Sequence, residues 1–245
     1  MKIYFNINLE FDHQLLENKV QEIAESTAEK GYCCFIDLNS LVHSYNNSDF
    51  RKVLNNALIN SCDGSYIAMV ASKVHGRKLK QYIGPDFFKK FIFKEGRHMI
   101  LGSTPNVYEK IMDRISLEEG NTENINYLGL PFKLVDEFDY VSISETINKM
   151  KPDYIWVSLG APKQEYFMSK LLPYINRGVL LGVGAAFNYF SGEIKDIPDW
   201  TKKLHLVWVF RLFAEPKKQF KRLKSIFIIF PKMIKEETRR VKNTK

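Results

Sequence analysis

Cysteine is scarce in this 245-residue chain: there are three, and two stand side by side at Cys33 and Cys34. That arrangement offers neither a disulfide framework nor a metal-ligand spacing, so a reducing compartment is the expectation. The five histidines (His13, His43, His75, His98 and His205) form no HxxxH or HxH pair, which argues against a zinc site. No window holds the roughly eighteen apolar residues that a membrane-spanning helix requires. The N-terminal MKIYFNINLEFDHQ alternates apolar and polar residues before turning acidic, and it reads as a first strand and not as a signal peptide. There is also no internal repeat and no low-complexity tract.

What the chain does have is the make-up of a folded soluble protein: 45% hydrophobic and 26% charged residues, in a length that buries a full core as one domain. Its net charge of +8 is unevenly placed. Residues 1–210 carry 24 Lys and Arg against 25 Asp and Glu, whereas residues 211–245 carry 12 against 3. The basicity therefore belongs to the C-terminal segment. Such an asymmetry suits a polyanionic partner: an anionic membrane, a nucleic acid or a pyrophosphate group.

Along the chain, apolar runs that suit strands alternate with stretches at helical spacing. Ile3, Phe5, Ile7 and Leu9 alternate as one strand, and Leu15, Leu16, Val20 and Ile23 mark a helix ending near Gly31. A strand over Cys33–Leu38 follows, and the polar NNSD at 46–49 caps a helix from Phe50 to about Ile59. Ser61 to Gly64 interrupts; the Asp63-Gly64 pair suits a turn, and Tyr66 to Val70 is apolar again. Gly84-Pro85-Asp86 opens a helix through Phe87, Phe88 and Phe91. His98–Leu101 is a strand leading into Gly102-Ser103-Thr104 and a helix with Val107, Ile111 and Ile115. This glycine turn with a hydroxyl cap suits a phosphate cradle or the start of an ordinary helix, and it matches neither GxGxxG nor the P-loop pattern. Glu118–Asn126 reads as polar loop and Tyr140–Met150 as helix.

The stretch Pro152–Tyr166, PDYIWVSLGAPKQEY, changes character in its middle. Tyr154–Val157 suits a buried strand, Ser158–Pro162 a small-residue turn, and Lys163–Leu172 a helix with Tyr166, Phe167 and Leu171 on one side. This puts Lys163, Gln164 and Glu165 at the carboxyl end of a strand, where open α/β sheets bind ligands. The plainer reading is a βα connection whose KQE face is solvated. Gly178–Val183 is a further strand, and the two glycines and two alanines of the GVGAAF that follows it permit close approach of a ligand or another backbone. At least five strand and helix alternations argue for an α/β fold with a mostly parallel sheet covered on both faces.

From Glu215-Pro216 onward a basic helix is expected. Phe220, Leu223, Phe227, Phe230 and Ile234 recur every three or four residues, with Lys217, Lys218, Lys221, Arg222 and Lys224 around the other side. Two readings stand: a helix lying in a membrane interface, or one that packs its stripe on the domain and solvates its lysines.

Four pieces in this order resemble the WecG/TagA/CpsF family of bacterial glycosyltransferases. They are LNS with Cys62-Asp63-Gly64 downstream, LGSTPNVYEK, SLGAPKQE, and GVGAAFNYFSGEIKDIPDW running into WVFRLFAEPKKQFKR. The match spans about residues 30 to 224. The resemblance implies a Rossmann-like core over 1–200 and a basic, membrane-associating helical appendage over 201–245. It implies a metal-independent, inverting transferase without cofactor. The sugar, of the N-acetylmannosamine type, moves from a UDP donor to a polyprenyl-pyrophosphate-linked N-acetylglucosamine in cell-surface polysaccharide or teichoic-acid-like polymer synthesis. The enzyme is expected on the cytoplasmic, inner face of the bacterial membrane, with an anionic membrane surface and no nucleic acid among its partners. The family's catalytic carboxylate falls on Asp63, its conserved glutamine on Gln164, and the asparagine near its second strand on Asn39. Substrate contacts are further expected from Gly64, Gly102 and Ser103, and from Gly160, Gly184 and Phe187. Arg211, Lys218 and Lys221 fall where the lipid pyrophosphate or the leaving diphosphate is held.

Several positions depart from the family pattern. The threonine common two residues before the asparagine is Asp37, which alters its hydrogen-bonding role or adds a second acid to the substrate site. The arginine usual before the Gly84 motif is Gln81, with Lys80 beside it able to compensate. Asn188 and Val207 replace an acid each, and Asp196-Ile197-Pro198 replaces RAP. Other readings stay open beside transfer: a degenerate relative that binds a nucleotide sugar or scaffolds a membrane complex, and a nucleic-acid-binding protein using the basic tail. The tail's Phe and Ile at helical spacing speak against the last. A homo-oligomer is among the expected partners.

Overall fold

A computed structural model describes residues 2–194 and 216–243, with side chains from 225 onward in the second segment. The chain opens with β1 (Ile3–Tyr4) and β2 (Ile7–Asn8), an antiparallel hairpin pairing Ile3 with Asn8 and Tyr4 with Ile7. The expected single strand is thus folded in two. Phe5 and Asn6 have φ of 50° and 65°, the left-handed pair that a two-residue hairpin turn uses. The turn sends Phe5 inward, so Tyr4, Phe5, Ile7 and Leu9 are all buried while Ile3 is exposed.

Six further strands form one parallel sheet. They are β3 (Lys30–Ile36), β4 (Ile59–Cys62), β5 (His98–Gly102), β6 (Ile125–Leu128), β7 (Tyr154–Ser158) and β8 (Gly178–Gly182), in the order β4-β3-β8-β7-β5-β6. The central strands are apolar throughout because both faces are covered. Alternation still decides which core each side chain enters. Cys34, Ile36, Met99, Leu101, Ile155, Val157 and Leu180 face one layer, and Cys33, Phe35, Ile100, Trp156, Val179 and Leu181 the other.

The first layer is covered by α2 (Leu38–Asn46), α3 (Ser48–Asn55), α4 (Ser65–His75), α7 (Tyr140–Met150) and α8 (Lys163–Leu171). The second is covered by α1 (His13–Glu25), α5 (Gly84–Phe91), α6 (Pro105–Leu117) and α9 (Ala186–Phe190). This is the expected Rossmann-like α/β architecture. Helix starts follow local chemistry: Asp12, Asp37, Asn47, Thr104 and Asp139 each accept a backbone N–H at an N-cap.

Three expectations are corrected. The first helix ends at Glu25, with Ser26 as its cap, six residues before Gly31. The helix expected to reach Ile59 stops at Asn55, and α2 precedes it as a separate helix. β4 and β6 were read as the interruption at 61–64 and as polar loop. β4 is INSC, and its buried side-chain donors are bonded: Asn60 Nδ2 donates to the carbonyls of Leu54 (2.7 Å) and Asn8 (2.8 Å), and Ser61 Oγ donates to that of Tyr82 (2.8 Å), while Asn60 Oδ1 is buried without a partner. A strand satisfied by distant carbonyls carries no apolar signature.

The last helix, α10 (Pro216–Asn243), lies on α2 and α4. Phe230 and Met233 are buried there, whereas Phe227 is 71% exposed. The expected single stripe therefore splits, with Phe230 inward and Phe227 outward. Phe230 meets Tyr66 at the start of α4 (ring centroids 5.6 Å), and Glu237 meets His75 at its end (2.9 Å), so α10 and α4 run in the same direction. Arg240 donates to Glu237 and to the carbonyl of Ile3 (2.6 Å), tying the helix to the hairpin. Among the described residues no helix is long and apolar enough to cross a membrane.

Candidate active site

The residues singled out in the sequence gather at the carboxyl edge of the parallel sheet. β3 runs into Asp37 and Asn39, β4 into Asp63 and Gly64, β5 ends in Gly102 before Ser103, β7 runs into Gly160, and β8 into Gly184. In a sheet of this topology, loops at that edge bound a common cleft.

Asp63 is held by backbone on two sides. Its N–H donates to the carbonyl of Ile36 (3.0 Å), and its Oδ1 accepts from the N–H of Gly84 (2.9 Å). Gly84 must be small because a Cβ there would lie 3.3 Å from the Val183 carbonyl oxygen. The start of α5 thus presses on the end of β8 and brings Asp63 toward the Gly182–Gly184 turn. Gly64 lies against Ile67 and the backbone of Leu38, closing α4 onto α2.

Asp37 accepts from the N–H of Ser40 (2.7 Å) as the N-cap of α2. Threonine, the family's usual residue there, caps helices too. The substitution keeps the cap and adds a negative charge. Asn39 is half-buried in the first turn of the same helix.

Gln164 and Glu165 open α8 and are 3% and 0% exposed. A solvated KQE face is therefore overturned for two of its three residues. Gln164 Nε2 donates to the carbonyl of Gly182 (2.8 Å) and to Glu165 Oε1 (3.0 Å). Both partners are acceptors, so the NH2 end of the amide is fixed and Oε1 is the end turned toward Gly184, where a Cβ would stand 3.5 Å away. Gln164 Oε1 and Glu165 Oε2 are buried without a hydrogen-bond partner. Burial first, and the negative Asp37 after it, push the Glu165 carboxyl up to about 7.

Gly182 is closely packed: a Cβ would lie 2.6 Å from Met168 Cε and 3.2 Å from Gln164 Nε2, so those side chains would have to shift. Ser158 Oγ donates to the carbonyl of Gly184 (2.7 Å), joining the loops after β7 and β8. At Gly102 (φ 81°) a Cβ would stand 3.0 Å from the carbonyl oxygen of Ser158. Ser103 is also left-handed, at φ 67°.

The remaining positions divide. Lys80 is exposed and Gln81 half-buried, its carbonyl accepting from His13 Nε2 (2.9 Å). Phe187 is fully buried against Phe88 (5.1 Å between centroids) and belongs to the core beneath the cleft, not to its wall. Arg211, Asp196, Ile197, Pro198 and Val207 lie outside the described residues, as do the side chains of Lys218 and Lys221. No group of three or more His, Cys, Asp or Glu suited to a metal ion occurs among the described residues. Glu165 is the site residue the sequence reading undervalued. An acid three residues before Met168 and seven before Leu172 stands on the helix's apolar stripe, which was the available signal.

A model of the glycosyl transferase WecG/TagA/CpsF family matches residues 5–243. The chain belongs to this family. A relative from Bacillus subtilis (strain 168), an N-acetylglucosaminyldiphosphoundecaprenol N-acetyl-beta-D-mannosaminyltransferase, is 29% identical over 193 residues, covering 77% of this chain and 73% of its own. A relative of the same name from Bacillus spizizenii is 29% identical over 185 residues, covering 74% and 69%. As a WecG/TagA/CpsF protein this chain is a glycosyltransferase.

Proposed function

We infer that the protein transfers an N-acetylmannosamine-type sugar from a UDP donor to a polyprenyl-pyrophosphate-linked N-acetylglucosamine, with inversion, at the inner membrane face. The relatives' names give the sugar and the acceptor. The observation that carries the mechanism is the position of Asp63 at the cleft edge, its carboxylate oriented by the Gly84 N–H.

In this reading the acceptor hydroxyl attacks the anomeric carbon and loses its proton to the Asp63 carboxylate as the new C–O bond forms. The bond to UDP breaks on the opposite face, and the diphosphate departs with the electron pair. Gln164 positions a substrate through its free Oε1, aided by Asn39, the Gly102–Ser103 turn and the Gly184 turn. Asp37, Gly64, Gly160, Lys80 and Gln81 complete the surroundings. Arg211, Lys218 and Lys221 hold the pyrophosphate or the leaving diphosphate, which supplies electrostatic stabilisation without calling on a metal. The basic C-terminal segment 201–245 carries the protein to the anionic membrane surface.

The test is UDP release by the purified protein across several UDP-N-acetyl sugars, with and without a lipid-pyrophosphate N-acetylglucosamine. Release that requires the lipid acceptor is expected. No release under any combination overturns the reading.

A further inference from the structure

The loop after β6 carries apolar side chains that are left exposed among the described residues. Phe132 is 106% exposed and Leu134 71%. The presentation is built: the Lys133 N–H donates to the carbonyl of Pro131 (3.0 Å), a three-residue turn with Phe132 at its apex. Its base is anchored, since Phe138 is buried and Tyr140 OH donates to the Val135 carbonyl (2.7 Å).

The charges are sorted in the same way. Each acid near the loop has a structural partner: Asp136 pairs with Lys170, Glu137 accepts from the Leu134 N–H (2.8 Å), and Asp139 caps α7 through the Ser142 N–H (3.0 Å). Lys133 is left exposed at the tip. Lys163, next to Gln164 at the cleft, places its ammonium 5.2 Å from the Phe132 ring and 5.0 Å from that of Phe138. The loop's own lysines and acids balance, and the positive charge complementary to an anionic interface belongs to α10, where Lys217, Lys218, Lys221, Arg222 and Lys224 precede Phe227 in sequence.

The opposite end of the sheet shows the same thing. Tyr66 and Met69 on α4 and Phe227 and Ile228 on α10 are 39%, 41%, 71% and 53% exposed. Because Phe230 meets Tyr66 where α4 begins, Phe227, one turn earlier in α10, stands at or beyond the carboxyl edge. The two apolar points flank the cleft from the edge strands β4 and β6, roughly 24 Å apart across five strand spacings.

We propose that the Pro131–Leu134 loop is a membrane-contacting element that inserts Phe132 and Leu134 into an anionic bilayer and, with the Phe227 end of α10, turns the cleft mouth toward the lipid. The inference rests on the lipid-linked acceptor in the reading above, and its experiment does not depend on transfer. Phe132→Trp in the full chain is mixed with vesicles of phosphatidylglycerol or of phosphatidylcholine alone, and a Phe132→Ser/Leu134→Ser variant is co-sedimented with the same vesicles. The expected results are a blue shift of the added fluorescence on phosphatidylglycerol vesicles and at least a fivefold loss of partitioning for the double variant, with its thermal midpoint unchanged. No blue shift, or equal partitioning, overturns the proposal even where UDP release is normal. Concentration-dependent dimerisation lost in the double variant, with no vesicle effect, overturns it in favour of a second copy of the chain.

Discussion

Gln164 Nε2 lies 3.0 Å from Glu165 Oε1 and 2.8 Å from the Gly182 carbonyl oxygen, and these two acceptors decide that the Oε1 end of the amide is the one turned toward Gly184. A glutamine held this way leaves Oε1 buried without a hydrogen-bond partner. The holding acid is itself buried. Its cost depends on pH, and that makes the relationship measurable.

Glu165 has a folded-state pKa of about 7 against an ordinary 4.5. Below pH 4.5 it is neutral in both states and carries no penalty. Between there and about pH 7 the unfolded chain ionises while the folded one retains its proton, so stability falls, by roughly 3 kcal/mol in total, and then levels off. Glu165→Gln removes this dependence. Its thermal midpoint relative to the native protein is expected to rise between pH 5 and pH 8; a constant gap means that Glu165 is not buried neutral.

Asp37 is one cause of that upward shift. Asp37→Thr retains the cap on α2 and is expected to change stability by less than about 1 kcal/mol, whereas Asp37→Ala loses about that much. In the threonine variant the Glu165 midpoint, followed by NMR of the Gln164 side-chain amide, is expected to move down. An unmoved midpoint removes Asp37 from the electrostatics of the site.

Asp63→Asn preserves an acceptor for the Gly84 N–H and so preserves the fold. Loss of the base is expected to lower kcat by roughly 10²–10⁴-fold, with the thermal midpoint within a degree or two of the native one. Native-like turnover excludes Asp63 as the base. Turnover is expected to survive EDTA in both the presence and absence of added divalent cation.

At the other end of the sheet, His98 is buried with both ring nitrogens assigned. Trp156 Nε1, which only donates, gives its proton to Nδ1 (3.1 Å), and Nε2–H donates to the Lys94 carbonyl (2.9 Å). Burial lowers its pKa from 6.5. The unfolded chain therefore takes up a proton that the folded one refuses, and stability drops as pH falls below 6.5. The ring-proton chemical shifts of His98 are expected to stay fixed from pH 7.5 to 6; movement with a midpoint at 6.5 contradicts the burial.

Docking of α10 depends on Phe230 among others. Phe230→Ala is expected to cost about 3 kcal/mol in urea unfolding. The loss should appear with faster proteolysis of the C-terminal helix if that helix is released first.

Much of this was legible in the order of residues. YIWV, GVLLG and HMIL are apolar through both faces of a covered sheet, and Pro or a hydroxyl at a helix start announced α5 and α6. The glycine at 102 marked a close approach, since its left-handed φ brings a Cβ to 3.0 Å from the Ser158 carbonyl oxygen. The family motifs placed Asp63 and Gln164, and the family model agrees with the membership they implied.

What only the tertiary structure decided concerns polar groups whose partners are far away in sequence. INSC became a strand because Leu54, Asn8 and Tyr82 supply its carbonyl acceptors, and Gln164 and Glu165 were drawn inward because α8 packs across β3, β7 and β8. The split of the C-terminal stripe between Phe230 and Phe227 followed from the surface that α2 and α4 offered. Local pattern fixes which residues seek burial. Whether a polar group tolerates it depends on hydrogen bonds and charges that only the folded chain brings within reach.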